Sequence, residues 1–217
     1  MGKHILQATI IKHLHQCSKI TIEEVNFMTI NQTKCIIDLL AKKDVAFDSG
    51  LSDNEVVQIE SKFNLIFPPD LKLFLQTALP ISDRFVNWRL GLHSSDEEKA
   101  ISERLNWPLD GMLFDIQNNN YWCEDWGAMP DNQNDRIEIA KKHYETYPQL
   151  IPIYSHRYIP SRPCENGNPV FSVYQTDIIC YGLNLESYLA CEFDFTLGMK
   201  NSDSNPLKTI EFWSNFI

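Results

Sequence analysis

The spacing of apolar residues along the chain changes from helical to strand-like near residue 150. In residues 31–43, isoleucines and leucines recur at helical spacing before a pair of lysines, which predicts a short helix with favourable charge at its C-terminus. From Leu150 onward, apolar residues come in short runs rich in branched and aromatic side chains, which is typical of strands. Helices followed by strands and further helices predict an α+β fold, in which a mainly antiparallel sheet is flanked by helices.

A helical hairpin is predicted over residues 51–80, where the start and stop signals are strongest. Ser52 followed by Glu55 is a capping-box pattern, in which each side chain bonds a free backbone N–H at the start of a helix. Pro68 and Pro69 end this helix and begin the next, because proline suits the first helical turn. The two apolar stripes that would face the core are Val56, Ile59 and Phe63, and Leu71, Phe74, Leu75 and Ala78.

The middle of the chain is predicted to contain two more helices with a short strand between them. Residues 96–106 place acids in the first turn of a third helix, and Trp107-Pro108 is predicted to end it. The apolar residues of 113–116 predict a strand, and residues 131–147 predict a fourth helix.

The C-terminal half predicts the sheet. Asn166-Gly167 is a turn signal between two of its strands. A helix from Leu185 and a last short helix near the C-terminus complete the pattern. The predicted strands are LIPIY (150–154), HRYIP (156–160), PVFSVY (169–174) and IICY (178–181).

Composition and charge narrow the choice of partners. The 217 residues, 43% of them hydrophobic, suit one domain of ordinary size with a sizeable core. The net charge is −10: residues 1–47 hold six lysines and four acids, whereas the remainder holds 13 basic and 25 acidic residues, a balance of −12. An acidic body repels phosphate backbones, so nucleic-acid binding is not expected, and a basic protein partner is.

Cysteine and apolar patterns bear on the compartment. The six cysteines are widely spaced without a CxxC, so reduced thiols in a cytoplasmic protein are expected. Cys123 and His143 lack neighbouring ligands, so no metal site is predicted. No apolar run approaches the roughly 18–20 residues needed to cross a bilayer, and no membrane partner is expected.

The sequence holds neither a glycine-rich phosphate loop nor a nucleophile elbow, so no cofactor and no catalytic residue are predicted. The best candidate for acid–base chemistry is Glu124-Asp125, which lies between Trp122 and Trp126. Such acids are either a buried pair with separated pKa values or a solvated edge beside two packed rings. We favour the solvated edge, and all four residues are then candidates for contact with a partner.

A second polar group lies in IPIYSHRYIPS, residues 151–161, where His156, Arg157 and Tyr158 are adjacent. On a continuous strand, Arg157 would share a face with isoleucines, and His156 and Tyr158 would share the other. A structural role is favoured, with Arg157 bonded to a carboxylate or to loop carbonyls. Partner binding through these three residues comes second, because arginine and tyrosine are common interface anchors. Catalysis by His156 comes third, because no acid or thiol lies beside it in sequence.

Four segments of the chain together resemble the motifs of the SUKH superfamily, in order and in spacing. This superfamily includes the bacterial Syd protein, fungal cell-wall-assembly regulators and many bacterial immunity proteins. The resemblance covers about residues 30–195 and implies an α+β fold, a mainly antiparallel sheet with helices against it, and no catalysis. The segments are Leu51–Leu75, Leu150–Ile153, Gly167–Tyr174 and Leu185–Leu189.

The resemblance divides the chain into parts. Residues 1–27 precede it as an N-terminal extension, residues 28–195 form the SUKH-like domain, and residues 196–217 form a C-terminal loop and short helix. Residues 81–130, with four tryptophans, are longer than the family core. This insertion is either a lid over the sheet, which we favour because large aromatic residues are usually buried, or a surface for a partner.

The resemblance implies a non-catalytic module that binds another protein, and in many bacterial relatives this is an immunity protein that neutralises a toxin domain. The acidic body agrees with this role, because nuclease toxins tend to be basic. The alternative is a regulatory scaffold in cell-wall assembly or stress signalling, although this chain lacks the long disordered arms of such relatives. A hydrolase using His156 or the Glu124-Asp125 pair is the third hypothesis.

Overall fold

The structure is a computed structural model that describes residues 28–197 and 207–217. The predicted extension, residues 1–27, and part of the predicted C-terminal loop lie outside these ranges. The first half consists of α1 (Ile30–Ala41), β1 (Phe47–Ser49), α2 (Asp53–Lys62), α3 (Pro69–Thr77), β2 (Ala78–Pro80), α4 (Trp88–His93) and α5 (Ser95–Asn118). The second half consists of a 3-10 turn η1 (Glu124–Trp126), α6 (Gln133–Tyr144), β3 (Leu150–Tyr154), β4 (Arg157–Pro160), β5 (Val170–Tyr174), β6 (Asp177–Gly182), α7 (Leu185–Glu192) and a 3-10 turn η2 (Trp213–Phe216).

The predicted α+β class is confirmed. Strands β3 to β6 form an antiparallel sheet in which each strand pairs with the next along the chain. Strands β1 and β2 form a separate antiparallel ribbon. Within the described residues, none of the helices is long and apolar enough to cross a membrane.

Alternate residues of the four-stranded sheet point into two different hydrophobic cores. The first core holds Ile151, Ile159 and Val170 together with side chains of α1 to α4 and α7. The second core holds Tyr158 and Phe171 together with side chains of α6 and of the C-terminal segment. Helix α5 contributes to both cores, through its N-terminal half to the first and through its C-terminal half to the second.

The helical hairpin of the first core agrees with the sequence-based prediction except at Ala78, which is half-buried and begins β2, because α3 ends at Thr77. Ser52 and Glu55 form the capping box of α2, with the Ser52 N–H donating to the Glu55 carboxylate at 2.8 Å. Pro69 is the first residue of α3. The side chains of Val56, Ile59, Phe63, Leu71, Phe74 and Leu75 are all buried.

The largest difference from the prediction is α5, a helix of 24 residues with Pro108 inside it. Proline has no N–H to donate, so the carbonyl of Arg104, four residues earlier, loses its helical partner. The hydroxyl of Tyr158 donates to that carbonyl at 2.9 Å. The predicted helix end at residue 107 and the predicted strand at 113–116 are therefore wrong, because a contact from the sheet supplies the missing hydrogen bond.

Replacing Tyr158 by phenylalanine is expected to lower the free energy of unfolding by about 1–3 kcal/mol, because the part-buried Arg104 carbonyl is left without a donor. In a Pro108→Ala background, the alanine N–H restores the helical bond, and Tyr158→Phe should cost much less. Urea unfolding of the wild type, both single variants and the double variant measures the coupling. Equal losses in the two backgrounds would show that the hydroxyl does not compensate for the proline.

Residues 151–161 form a hairpin of β3 and β4 and not one continuous strand. Ser155, with φ of 49°, and His156 make the turn between β3 and β4. Ile151 pairs with Ile159 across the hairpin, and both point into the first core.

The turn between β5 and β6 packs closely on α5. A Cβ atom at Gly111 would lie 2.7 Å from the Cα of Gln175, so glycine is required for this approach. The carboxylate of Asp115 accepts hydrogen bonds from the backbone N–H of Thr176 at 2.9 Å and from its hydroxyl at 2.6 Å. These contacts hold the C-terminal half of α5 against the sheet.

Candidate partner-binding site

The first group of candidate residues lies in a turn, residues 122–126, that we call the acidic turn. Trp122 donates its indole N–H to the carbonyl of Gly127 at 2.8 Å, and Trp126 donates to the hydroxyl of Tyr147 at 2.6 Å. The two indole rings meet edge to face, with centroids 5.1 Å apart. Hydrogen bonds and ring contacts therefore fix both tryptophans that flank the acids.

Trp126 anchors the acidic turn in the second core, where 7% of its surface is exposed. Its ring stacks on His143 of α6 at 6.0 Å and on Phe212 of the C-terminal segment at 6.4 Å. Tyr121, just before the turn, stacks on Phe216 at 6.2 Å. The turn is thus attached to two separate elements and has little freedom to move relative to them.

Glu124 and Asp125 are exposed at the tip of the acidic turn. Among the described residues, neither carboxylate forms a salt bridge. Because both are solvated, they are not the desolvated pair that acid–base chemistry would need. They are two adjacent negative charges held outward by packed aromatic rings.

The second group of candidates lies at the β3–β4 turn and is centred on Arg157, which is 9% exposed. Its Nε donates to the carboxylate of Glu192 on α7 at 3.1 Å, and one terminal nitrogen donates to the hydroxyl of Ser172 at 2.8 Å. The guanidinium lies 3.8 Å from the ring centroid of Tyr181. Arg157 therefore joins the sheet to α7, which is a structural function.

His156 is held by its two sequence neighbours. Its Nε2 lies against the guanidinium of Arg157, and its Nδ1 lies 3.2 Å from the hydroxyl of Ser155. Burial, followed by the positive charge of Arg157, lowers the pKa of the imidazole below its usual value. A guanidinium can only donate, so Nε2 accepts from Arg157, and the lone pair that would take a substrate proton is occupied by a cationic donor.

Tyr158 lies on the opposite face of the sheet from these contacts. It is 2% exposed, in the second core, and its hydroxyl is bonded to the Arg104 carbonyl. Tyr158 and Trp126 are therefore supports of the fold and offer little surface to a partner. The candidates that remain accessible are the tip of the acidic turn, part of Trp122 and part of His156.

Two depressions mark the surface near α6. The smaller, of about 360 Å³, lies beside Trp126 and is lined by Lys142 and His143 among others. The larger, of about 1080 Å³, is an open groove between the α2–α3 corner and residues 161–164. Across the described ranges, no group of three or more His, Cys, Asp or Glu side chains is placed to hold a metal ion.

A further exposed surface lies on α5. The predicted helix end at Pro108 and the predicted strand at 113–116 would have placed its residues on different elements. Glu103, Trp107, Asp110 and Phe114 follow one another at intervals of four, three and four residues, which places them on one face of the helix. We call these four residues the α5 stripe. Extending the helical period through Pro108 is the sequence signal that would have identified it.

Comparisons with known proteins supply no relative. No family model, curated protein or solved structure matches this chain. The resemblance to the SUKH superfamily therefore stays a prediction from the sequence.

Proposed function

We propose that this protein is a non-catalytic binding module of the cytoplasm, an immunity protein that neutralises a basic toxin domain by direct contact. The observation that carries the proposal is the acidic turn, in which Glu124 and Asp125 are exposed and unpaired on a tightly packed aromatic base. The resemblance to the SUKH superfamily supports the same function.

The physical argument is charge complementarity combined with pre-organisation. An acidic surface speeds and orients the approach of a basic partner, and it disfavours acidic competitors. Because Trp122 and Trp126 are already hydrogen-bonded, little backbone entropy is lost when the turn binds. Exposed aromatic surface at Trp122 adds apolar contact beside the charges.

The internal bonds of the other candidates support binding over catalysis. Arg157 donates hydrogen bonds to Glu192 and Ser172, and the ring nitrogens of His156 contact Arg157 and Ser155. A hydrolase built on His156 would have to break these contacts before the imidazole could accept a proton from a substrate.

Reversing both charges of the acidic turn, Glu124→Lys with Asp125→Lys, is expected to weaken partner association by roughly tenfold to a hundredfold, because two attractive charges become repulsive. The melting temperature should change little, since both side chains are solvated. The partner to test is the product of the gene next to this one, co-expressed with each variant, with cell survival and co-purification as readouts.

A matched control is Asp38→Lys with Asp177→Lys, which makes the same change in net charge at exposed acids on α1 and β6. Protection and co-purification should survive in the control. Unaltered binding by the acidic-turn variant would contradict the proposal. A thermal destabilisation as large as that of a core substitution would show instead that the acid pair is structural.

A further inference from the structure

The α5 stripe combines exposed aromatic rings with exposed acids. Trp107 is 49% exposed and Phe114 is 47% exposed, although large aromatic residues are normally buried. Glu103 and Asp110 alternate with them and are also exposed. The stripe extends over about 16 Å of helix at 1.5 Å per residue, which suits contact with a short segment of another chain.

Within the described part of the molecule, the four side chains of the stripe make a single charge contact, between Glu103 and Lys99. Trp107 and Phe114 take part in none of the ring contacts, and the indole N–H of Trp107 has no hydrogen-bond acceptor among the described residues. Asp110 forms no salt bridge there, and Glu103 has only an exposed contact of 3.8 Å with Lys99. Exposed intrahelical pairs of this kind contribute little to stability, so Glu103 is available to a partner.

The helix that carries the stripe is rigidly placed. Ile101 and Leu105 bury one side of its N-terminal half in the first core, and Met112 and Ile116 bury its C-terminal half in the second. Gly111 and the β5–β6 turn are in close contact on a further side. The stripe is the face of α5 that none of the other described elements covers, and it is part of a helix that is already folded.

From these observations we infer that the α5 stripe is a docking surface for a cationic, partly apolar segment of a protein partner. The inference rests on the proposed function, in which the partner is basic, and it assigns a second contact site besides the acidic turn. Lysine or arginine side chains of the segment would pair with Glu103 and Asp110. Its apolar residues, or an arginine lying on the indole face, would cover Trp107 and Phe114.

Charge decides against a second copy of this chain as the occupant. A twofold pairing with parallel helices would bring Glu103 and Asp110 of one copy against the same acids of the other, and one with antiparallel helices would set them against Phe114 and Trp107. Neither arrangement gives these acids a cationic partner in the stripe. The stripe contains no basic residue to offset that repulsion, and the body of the chain is strongly acidic. The same charges attract a basic segment.

The test uses the full chain, immobilised, and a displayed library of random peptides of about twelve residues as the probe. Selected peptides should combine lysine or arginine with apolar residues. Trp107→Ser with Phe114→Ser, and separately Asp110→Lys, should each weaken peptide binding by about tenfold or more. The matched control is Val57→Ser with Ile179→Ser, which removes apolar side chains that are 61% and 50% exposed on other elements and should leave binding unaltered.

The other outcomes separate this inference from the proposed function. Peptides that lose binding only when Glu124 and Asp125 are reversed would overturn the docking role of the stripe and leave the proposed function standing. Peptides without cationic residues would overturn the choice of a basic occupant. If the Trp107→Ser, Phe114→Ser protein sediments as a monomer while the wild type sediments as a dimer, the occupant is a second copy, and the inference is overturned.

Discussion

Replacing Trp213 by alanine is expected to lower the free energy of unfolding by about 3–5 kcal/mol, because it removes the largest fully buried side chain of the second core and leaves a cavity. Trp213 has 0% exposed surface, and its indole N–H donates to the carbonyl of Pro148 at 2.7 Å. Its ring also meets Tyr144 edge to face at 6.0 Å. The substitution leaves both a cavity and an unpaired carbonyl, and urea unfolding followed by circular dichroism measures the combined loss.

Trp107→Ala is the matched control for this experiment, because it removes the same side chain from a position that is 49% exposed. Its effect on stability should stay within about 0.5 kcal/mol, as is usual for surface positions. If the two variants unfolded at the same urea concentration, the C-terminal segment would not be docked against the sheet as described.

Replacing Arg89 by alanine is expected to lower the free energy of unfolding by about 2–3 kcal/mol at neutral pH, because this one side chain joins α4 to β1, to Gly50 and to α2. The guanidinium makes five hydrogen bonds, to the carboxylates of Glu55 and Asp48 and to the carbonyls of Ser49 and Gly50. Arginine has five N–H donors, so all of them are used. Only 22% of its side chain is exposed, which limits how far water can replace these bonds.

The contribution of Arg89 to the free energy of unfolding should also fall as the pH is lowered. Hydrogen bonds from Arg89 first, and then from the Ser52 backbone, lower the pKa of Glu55 from 4.5 to about 2. A carboxylate with a lowered folded-state pKa stabilises the fold above its unfolded pKa, and it loses this effect as the pH falls through the folded value. The stability difference between wild type and Arg89→Ala should therefore be full above about pH 5 and should shrink towards pH 2.

Arg89→Lys gives a second comparison, because lysine keeps the charge but cannot form the planar two-point contact with a carboxylate. It should recover only part of the lost stability. A wild-type and Arg89→Ala pair that differ equally at pH 7 and pH 2 would show that the ionised Glu55 is not what the arginine stabilises.

The parts of the fold that were predictable from sequence are those fixed by near neighbours. Ser52 and Glu55 are three residues apart, and Pro68-Pro69 restricts its own backbone, so the α2–α3 hairpin followed from local rules. Short runs rich in branched and aromatic residues likewise placed the strands of the sheet. The course of α5 did not follow, because the donor that compensates for Pro108 is Tyr158, fifty positions further along the chain.

The candidate site divides in the same way. An exposed acid pair between packed tryptophans was predictable from the residues at 122–126, because charge and ring size alone separate outward from inward side chains. The role of Tyr158 was not predictable, since an aromatic residue beside arginine has the same sequence appearance at an interface and in a core. The α5 stripe does not follow from local rules, because Pro108 by itself predicts a helix end although the helical period continues on either side of it.

Helix α5, whose side chains enter both cores, has a consequence for how the molecule comes apart. Each hydrophobic core includes side chains of α5, so neither core is complete without this helix. Unfolding of the elements around one core would therefore expose apolar surface of the other. Because α5 is common to both cores, we expect the two cores to unfold together, as one cooperative unit with a single transition.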